Sequence, residues 1–115
     1  MQTFSEVEAG KALTRLAQRK LRDTTIKPTA VCLFAWLAAE AARENINPVQ
    51  TTISDMFFGF TARGDGEEVE ICRVGMSINT IKACLENLED TGFIATDRIA
   101  STRGQKINVE IVVGA

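Results

Sequence analysis

The sequence predicts an α+β domain, on three observations. Residues 77–91 place Ile78, Ile81, Leu85 and Leu88 at spacings of three, four and three, the repeat of one face of an α-helix. Residues 5–22 and 29–44 carry two further helical stripes. Residues 93–113 change period: Ile107, Val109, Ile111 and Val113 alternate strictly, as a strand with one face on a core does. At 115 residues the chain is read as one domain, spanning residues 1–115 and long enough to bury a core without metals or disulfides.

Taken in order, the first helix covers 5–22. Ser5 is its N-cap, Glu6 and Glu8 suit the positive N-terminal end, and Arg19, Lys20 and Arg22 suit the negative end. Val7, Leu13, Leu16, Ala17 and Leu21 form an apolar stripe, imperfectly phased around Gly10. Its outer surface is either solvated, a basic arm for phosphate, or a dimerisation face. Residues 23–27 connect to a second helix, with Pro28 in its first turn. Val31, Phe34, Leu37, Ala38 and Ala41 share one side, and Leu33 and Trp36 lie on the flank, so this is the central core helix. Asn45-Ile-Asn-Pro48 ends it.

Residues 49–57 read as a short helix with Val49, Ile53, Met56 and Phe57 inward. Residues 58–74 admit two readings. In the first, 58–62 and 69–74 alternate as two strands around the turn Arg63-Gly-Asp-Gly66, an inserted β-hairpin. In the second, 67–74 is itself a helix, but a one-residue deletion then rotates Ile71 out of phase by about 100°, which favours the hairpin. Ser77 caps the helix of 77–91, and Gly92 stops it in the left-handed conformation. Two strands follow in 93–113, joined by Ser101-Thr-Arg-Gly104-Gln.

The order Ser77-x-x-Thr80-Ile81-x-x-x-Leu85-x-x-Leu88-x-x-x-Gly92-Phe93-Ile94 resembles the recognition helix and first wing strand of the winged helix-turn-helix family. The resemblance is tight over these residues and loose over most of the chain. It implies a winged helix-turn-helix with an extra N-terminal helix, an inserted β-hairpin before the recognition helix and a two-stranded C-terminal wing in 93–113. It departs from the family's pattern at that insertion, because family members join the two helices by a short turn.

Composition narrows the function. With 45% apolar and 24% charged residues the chain has the profile of a soluble globular domain, and its longest apolar run, 30–39, is too short for a membrane span. The N-terminus lacks the order of a secretory signal, so a cytoplasmic location is expected. There is no histidine, and Cys32, Cys72 and Cys84 have no metal-binding spacing, so no metal or cofactor is expected. The cysteines read as small apolar residues. Without a neutral-pH general base or an activated nucleophile pair, the chain is not expected to be an enzyme. The net charge is −2, but bases gather in 11–27 and 98–106, and acids at Asp65, Glu67, Glu68, Glu70, Glu86, Glu89 and Asp90.

The outward face of the 77–91 helix, taken as Asn79, Thr80, Ala83, Glu86, Asn87 and Asp90 with Lys82 at its edge, is small and polar in its first half and acidic in its second. The expected function is sequence-specific binding of double-stranded DNA as a homodimer, in a transcriptional repressor or a plasmid or phage replication or partition factor. Asn79, Thr80 and Ala83 would meet base edges, and Ser77, Lys82, Arg98, Thr102, Arg103 and Lys106 would hold the backbone. The alternative is a winged-helix adaptor or inhibitor with a protein partner, suggested by the acidic total and the inserted hairpin.

Overall fold

The structure, a computed structural model, describes residues 2–64, 66–101 and 104–112. Within them lie four helices and five strands: α1 (Glu6–Arg22), α2 (Pro28–Glu44), β1 (Val49–Thr51), α3 (Ile53–Phe58), β2 (Phe60–Gly64), β3 (Glu67–Ile71), α4 (Ile78–Asp90), β4 (Ile94–Ser101) and β5 (Gly104–Ile111). The strands form a three-stranded antiparallel sheet in the order β1-β5-β4 and a separate antiparallel pair, β2-β3. The fold is α+β.

Local chemistry sets the helix ends. Ser5 and Glu8 form a reciprocal capping box at the start of α1. Thr52 caps α3 through the Asp55 amide at 2.9 Å, and Ser77 caps α4 through the Thr80 amide at 3.2 Å. At the far end of α4 the Phe93 amide donates to the Leu88 carbonyl and the Gly92 amide to the Glu89 carbonyl, with Gly92 at φ 84°. That paired geometry needs a residue at positive φ, which glycine supplies without strain. Asn45, at φ 54°, ends α2 in the same way.

The core gathers Leu16 of α1, Leu33, Phe34 and Leu37 of α2, Met56 of α3, Ile81, Leu85 and Leu88 of α4, and Ile107, Val109 and Ile111 of β5. Helix α2 is its centre, covered by α1 on one side and α4 on another. Phe93 meets Phe34 edge to face at 6.3 Å, and the Arg15 guanidinium lies 5.4 Å over the Phe93 ring while donating to the Val112 carbonyl at 2.6 Å.

Three details differ from the sequence reading, and one open alternative is decided. Residues 49–57 are not one helix: Val49–Thr51 is a strand paired with Thr51↔Ile107 and Val49↔Val109, and only Ile53–Phe58 is helical. Leu33 is fully buried, whereas Val31 is half-buried. Of the two readings of 58–74 the favoured one holds: Glu67–Ile71 is the second strand of a hairpin, not a helix. Of the cysteines only Cys84 is buried; Cys32 and Cys72 are exposed. Asp65 and Val113 lie outside the described residues.

Asn47 is a buried polar residue with a structural task. Its side-chain oxygen accepts from the Ile111 amide and its side-chain nitrogen donates to the Ile111 carbonyl, both at 2.9 Å. The side chain thereby imitates a neighbouring strand beyond the end of β1. Its main chain pairs with Gln2, so the N-terminal segment, Asn47, β5 and β4 form one continuous hydrogen-bonded row. Phe4, fully buried, is seated at the end of that row by a bond from its amide to the Asn45 side chain.

Candidate nucleic-acid interface

Helix α4 is fixed against its neighbours by polar contacts on two sides. Asn87 accepts from the Lys27 amide at 3.1 Å and donates to the Thr25 carbonyl at 2.9 Å, which ties α4 to the connector between α1 and α2. The connector is shaped by Asp23, whose carboxylate accepts from the amide and hydroxyl of Thr25. The Thr25 bonds, with a smaller contribution from Arg19, hold that carboxyl below its ordinary pKa. Glu89 accepts from the amide of Thr96 at 3.0 Å and from its hydroxyl at 2.7 Å, linking the last turn of α4 to β4. The Thr96 bonds, and then the nearby Arg98 charge, lower the Glu89 pKa.

These ties rotate α4 relative to the sequence expectation. Thr80, Ala83 and Asn87 are half-buried, and the exposed side is Ile78, Asn79, Lys82, Glu86, Glu89 and Asp90. Ile78, taken as a core position, keeps 41% of its surface in solvent. The Thr80 hydroxyl is occupied with the Ser77 hydroxyl at 2.9 Å. The outward face therefore opens with an apolar residue, an amide and a base, and closes with three acids.

Lys82 and Arg98 line one cleft of about 190 Å³ between α4 and the sheet, floored by Leu85 and Ile107 and shared with Glu86, Glu89 and Thr96. Arg98 pairs in register with Ile107, and Lys106 with Ile99. Because side chains alternate across a sheet, Arg98 lies on the α4 side and Lys106 on the opposite side. Both are exposed at these positions. Lys106 shares its side with exposed Asp97 and Glu110, so it is separated from the other bases. Thr102 and Arg103 lie outside the described residues.

Ser77 borders a second, shallower cleft of about 260 Å³ with Phe57, Arg73, Gly75 and Met76. Arg73 is exposed there, a base beside the N-terminus of α4 that sequence reasoning absorbed into the hairpin. Its placement follows from bonds that bring the chain back after β3: Trp36 donates to the Cys72 carbonyl at 2.8 Å, and the Val74 amide to the Met56 carbonyl at 2.8 Å. No local sequence signal marks those contacts.

The bases of α1 do not form one free face. Arg15 is turned to Phe93 and Val112, and Arg19 pairs with Asp23 at 3.5 Å. Among the described residues no group of His, Cys, Asp or Glu has the arrangement of a metal site, and no helix is long and apolar enough to cross a membrane.

Comparison with family models, curated proteins and solved structures finds no match to this chain.

Proposed function

We propose that the chain is a winged helix-turn-helix protein that binds double-stranded DNA, with the N-terminal half of α4 in the major groove. The observation that carries this reading is the outward face of the first two turns of α4. Ile78, Asn79 and Lys82 are exposed there, and Arg98 and Arg73 stand on either side. The order α2-β1-α3-α4-β4-β5 with sheet order β1-β5-β4 supports it, since it resembles the family's helix, strand, two helices and wing.

An asparagine amide matches the paired donor and acceptor of adenine, and an isoleucine side chain matches the thymine methyl. Lys82, Arg98, Arg73 and Ser77 hold phosphates and set the register without reading sequence. Glu86 and Asp90 belong to the end of α4 that stays clear of the backbone. Glu89 is engaged with Thr96. Such a protein acts by occupying its site, as a transcriptional repressor or a replication or partition factor does.

Fluorescence anisotropy of a labelled random duplex, at low and then moderate salt, tests this. Binding should weaken steeply with salt as displaced counterions return. Lys82→Ala and Arg98→Ala should each weaken binding to every duplex and reduce the salt slope by about one. Asn79→Ala should instead relax preference at one position of a selected site, by about 1–3 kcal/mol. Absence of binding at low salt sinks the proposal.

That result would favour the second reading, a protein-docking role for the β2-β3 hairpin. One observation supports it: Phe58 and Val69 keep 71% and 45% of their surface in solvent, beside exposed Glu67, Glu68 and Glu70.

A further inference from the structure

A cleft of about 550 Å³ lies at the base of the β2-β3 hairpin, within the size range of ligand sites. Phe58 and Thr61 line it from one foot of the hairpin, and Glu70, Cys72 and Arg73 from the other, all of them exposed. Gly59 lines it too. A Cβ there would stand 2.6 Å from the Ile71 carbonyl oxygen, so the two feet meet backbone to backbone at this point. Three of these side chains do little for the fold. Phe58 keeps 71% of its surface in solvent, touching Phe57 edge to face at 4.8 Å. Among the described residues neither the Glu70 carboxylate nor the Arg73 guanidinium has a hydrogen-bond or ion-pair partner. One exposed ring is ordinary. A ring, an unpaired acid and an unpaired base on one cleft form a recognition set. The cleft is lined only by residues 58–61 and 70–73, so it does not enclose a small molecule as a ligand pocket does. What sits there is held also by the larger body to which it is attached.

We infer that this cleft takes one unpaired guanine, on a single strand that continues from the duplex held by α4. The inference rests on the reading of α4 as a duplex-binding helix. Arg73 supplies the continuity, because it lines this cleft and also the one that reaches Ser77 at the N-terminus of α4. A strand with a phosphate on Arg73 brings a neighbouring base to Phe58. Stacking on an exposed ring accepts any base, since every base has a π-face. Glu70 makes the choice. Its carboxylate only accepts hydrogen bonds, through two oxygens, and an unpaired guanine offers two parallel donors, N1–H and N2–H, on one edge. Adenine and cytosine set one amine beside a ring-nitrogen acceptor, which a carboxylate repels, and thymine has one N–H between two carbonyls. In a base pair the guanine N1–H is already engaged, so the same edge selects an unpaired base. Glu67 and Glu68 lie at the turn end of β3, away from Arg73, which keeps phosphate to the Arg73 side.

Fluorescence anisotropy of the full chain on three labelled DNAs tests this: a blunt duplex, the same duplex with a short all-thymidine overhang, and that overhang with one thymidine replaced by deoxyguanosine. Trp36, the one tryptophan of the chain, reports on the cleft separately, because its indole donates to the Cys72 carbonyl at 2.8 Å. The guanine overhang should bind at least about fivefold more tightly than the blunt duplex, the lower end of a base–aromatic stack, and should change Trp36 emission. Phe58→Ala should remove that gain and Phe58→Tyr should retain it, with unchanged circular dichroism in both because the ring is exposed. Glu70→Gln should bring the guanine and thymine overhangs to equal affinity. Equal binding of the blunt duplex and the guanine overhang overturns the inference while leaving duplex binding intact. So does a gain that survives Phe58→Ala, or a guanine preference that survives Glu70→Gln. Failure of the blunt duplex to bind, with Phe58-dependent binding of the free guanine-containing strand, overturns the duplex reading and keeps the guanine site. A protein captured at Phe58, with no response to any of these DNAs, overturns the inference.

Discussion

At the scale of single residues, Asn47 shows how one polar side chain substitutes for a strand. It is 6% exposed and saturates both main-chain groups of Ile111 from the side that β1 no longer reaches. Burial makes the exchange asymmetric: the pair of bonds adds modest net stability, but their removal strands two buried groups. Asn47→Ala should therefore cost about 1–3 kcal/mol for each group left unpaired, read as a fall in the urea midpoint. A smaller change would mean that water replaces the side chain. Glu40 is a contrasting buried polar residue, 5% exposed and held by Arg43 at 2.7 Å, whose guanidinium also lies 5.8 Å over the Phe60 ring. The Glu40 bond comes first in raising the Arg43 pKa, and through the Arg43 contact with Phe60 the pair meets the base of the β2-β3 hairpin.

At the scale of elements, α4 depends on its stop as much as on its stripe. Gly92 has φ 84° and no atom within 4 Å of where a Cβ would stand, so any cost of substitution there is conformational and not steric crowding. Gly92→Ala should cost about 1–2 kcal/mol, and Gly92→Val more, because a β-branched residue resists positive φ. An unchanged melting temperature for Gly92→Val would show that the backbone finds another way into β4. The stop, the Ser77 cap and the Ile81–Leu85–Leu88 stripe were all legible in the sequence because each is a local signal. So was the hairpin, since its alternation and its glycines lie within a few residues of each other, although the pairing runs on through Arg63 and Gly64, which the sequence reading gave to the turn. Strand β1 was not legible. Three residues carry no period, and Val49–Thr51 is a strand only because β5, far along the chain, supplies partners. The outward face of α4 was legible only in part. Asn79 and Lys82 are exposed as expected, but Thr80, Ala83 and Asn87 are half-buried, Thr80 bonded to Ser77 and Asn87 to the Thr25–Lys27 connector. The Arg73 position depends on long-range bonds to Met56 and Trp36 that no spacing announces.

At the scale of the whole molecule, the hairpin stands apart from the core. Among the residues between Met56 and Ile81 whose side chains are described none is buried, although Phe57, Val74 and Met76 pack against the core's edge. The two feet of the hairpin are adjacent: a Cβ on Gly59 would lie 2.9 Å from the Arg73 amide nitrogen and 2.6 Å from the Ile71 carbonyl oxygen. The chain can therefore be closed across the base by a short glycine-containing link replacing 60–71, leaving α1, α2, α4 and the three-stranded sheet with their contacts. Shortening a loop also costs the folded state little, because closure entropy changes slowly with length. The trimmed protein should keep a single cooperative unfolding transition. It should lose some stability because Trp36 no longer meets Phe60, which now lies 6.5 Å away edge to face. A broad, non-cooperative transition would show that the hairpin belongs to the folding unit after all. The same variant separates the two functional readings. Removing exposed Glu67, Glu68 and Glu70 takes negative charge off the molecule without touching Asn79, Lys82 or Arg98. If α4 and the wing bind DNA, the trimmed protein should bind the random duplex at least as tightly, with an unchanged salt slope, because the phosphate-contacting bases are the same. If the hairpin docks a protein partner, trimming abolishes that interaction, and there is no DNA affinity to preserve.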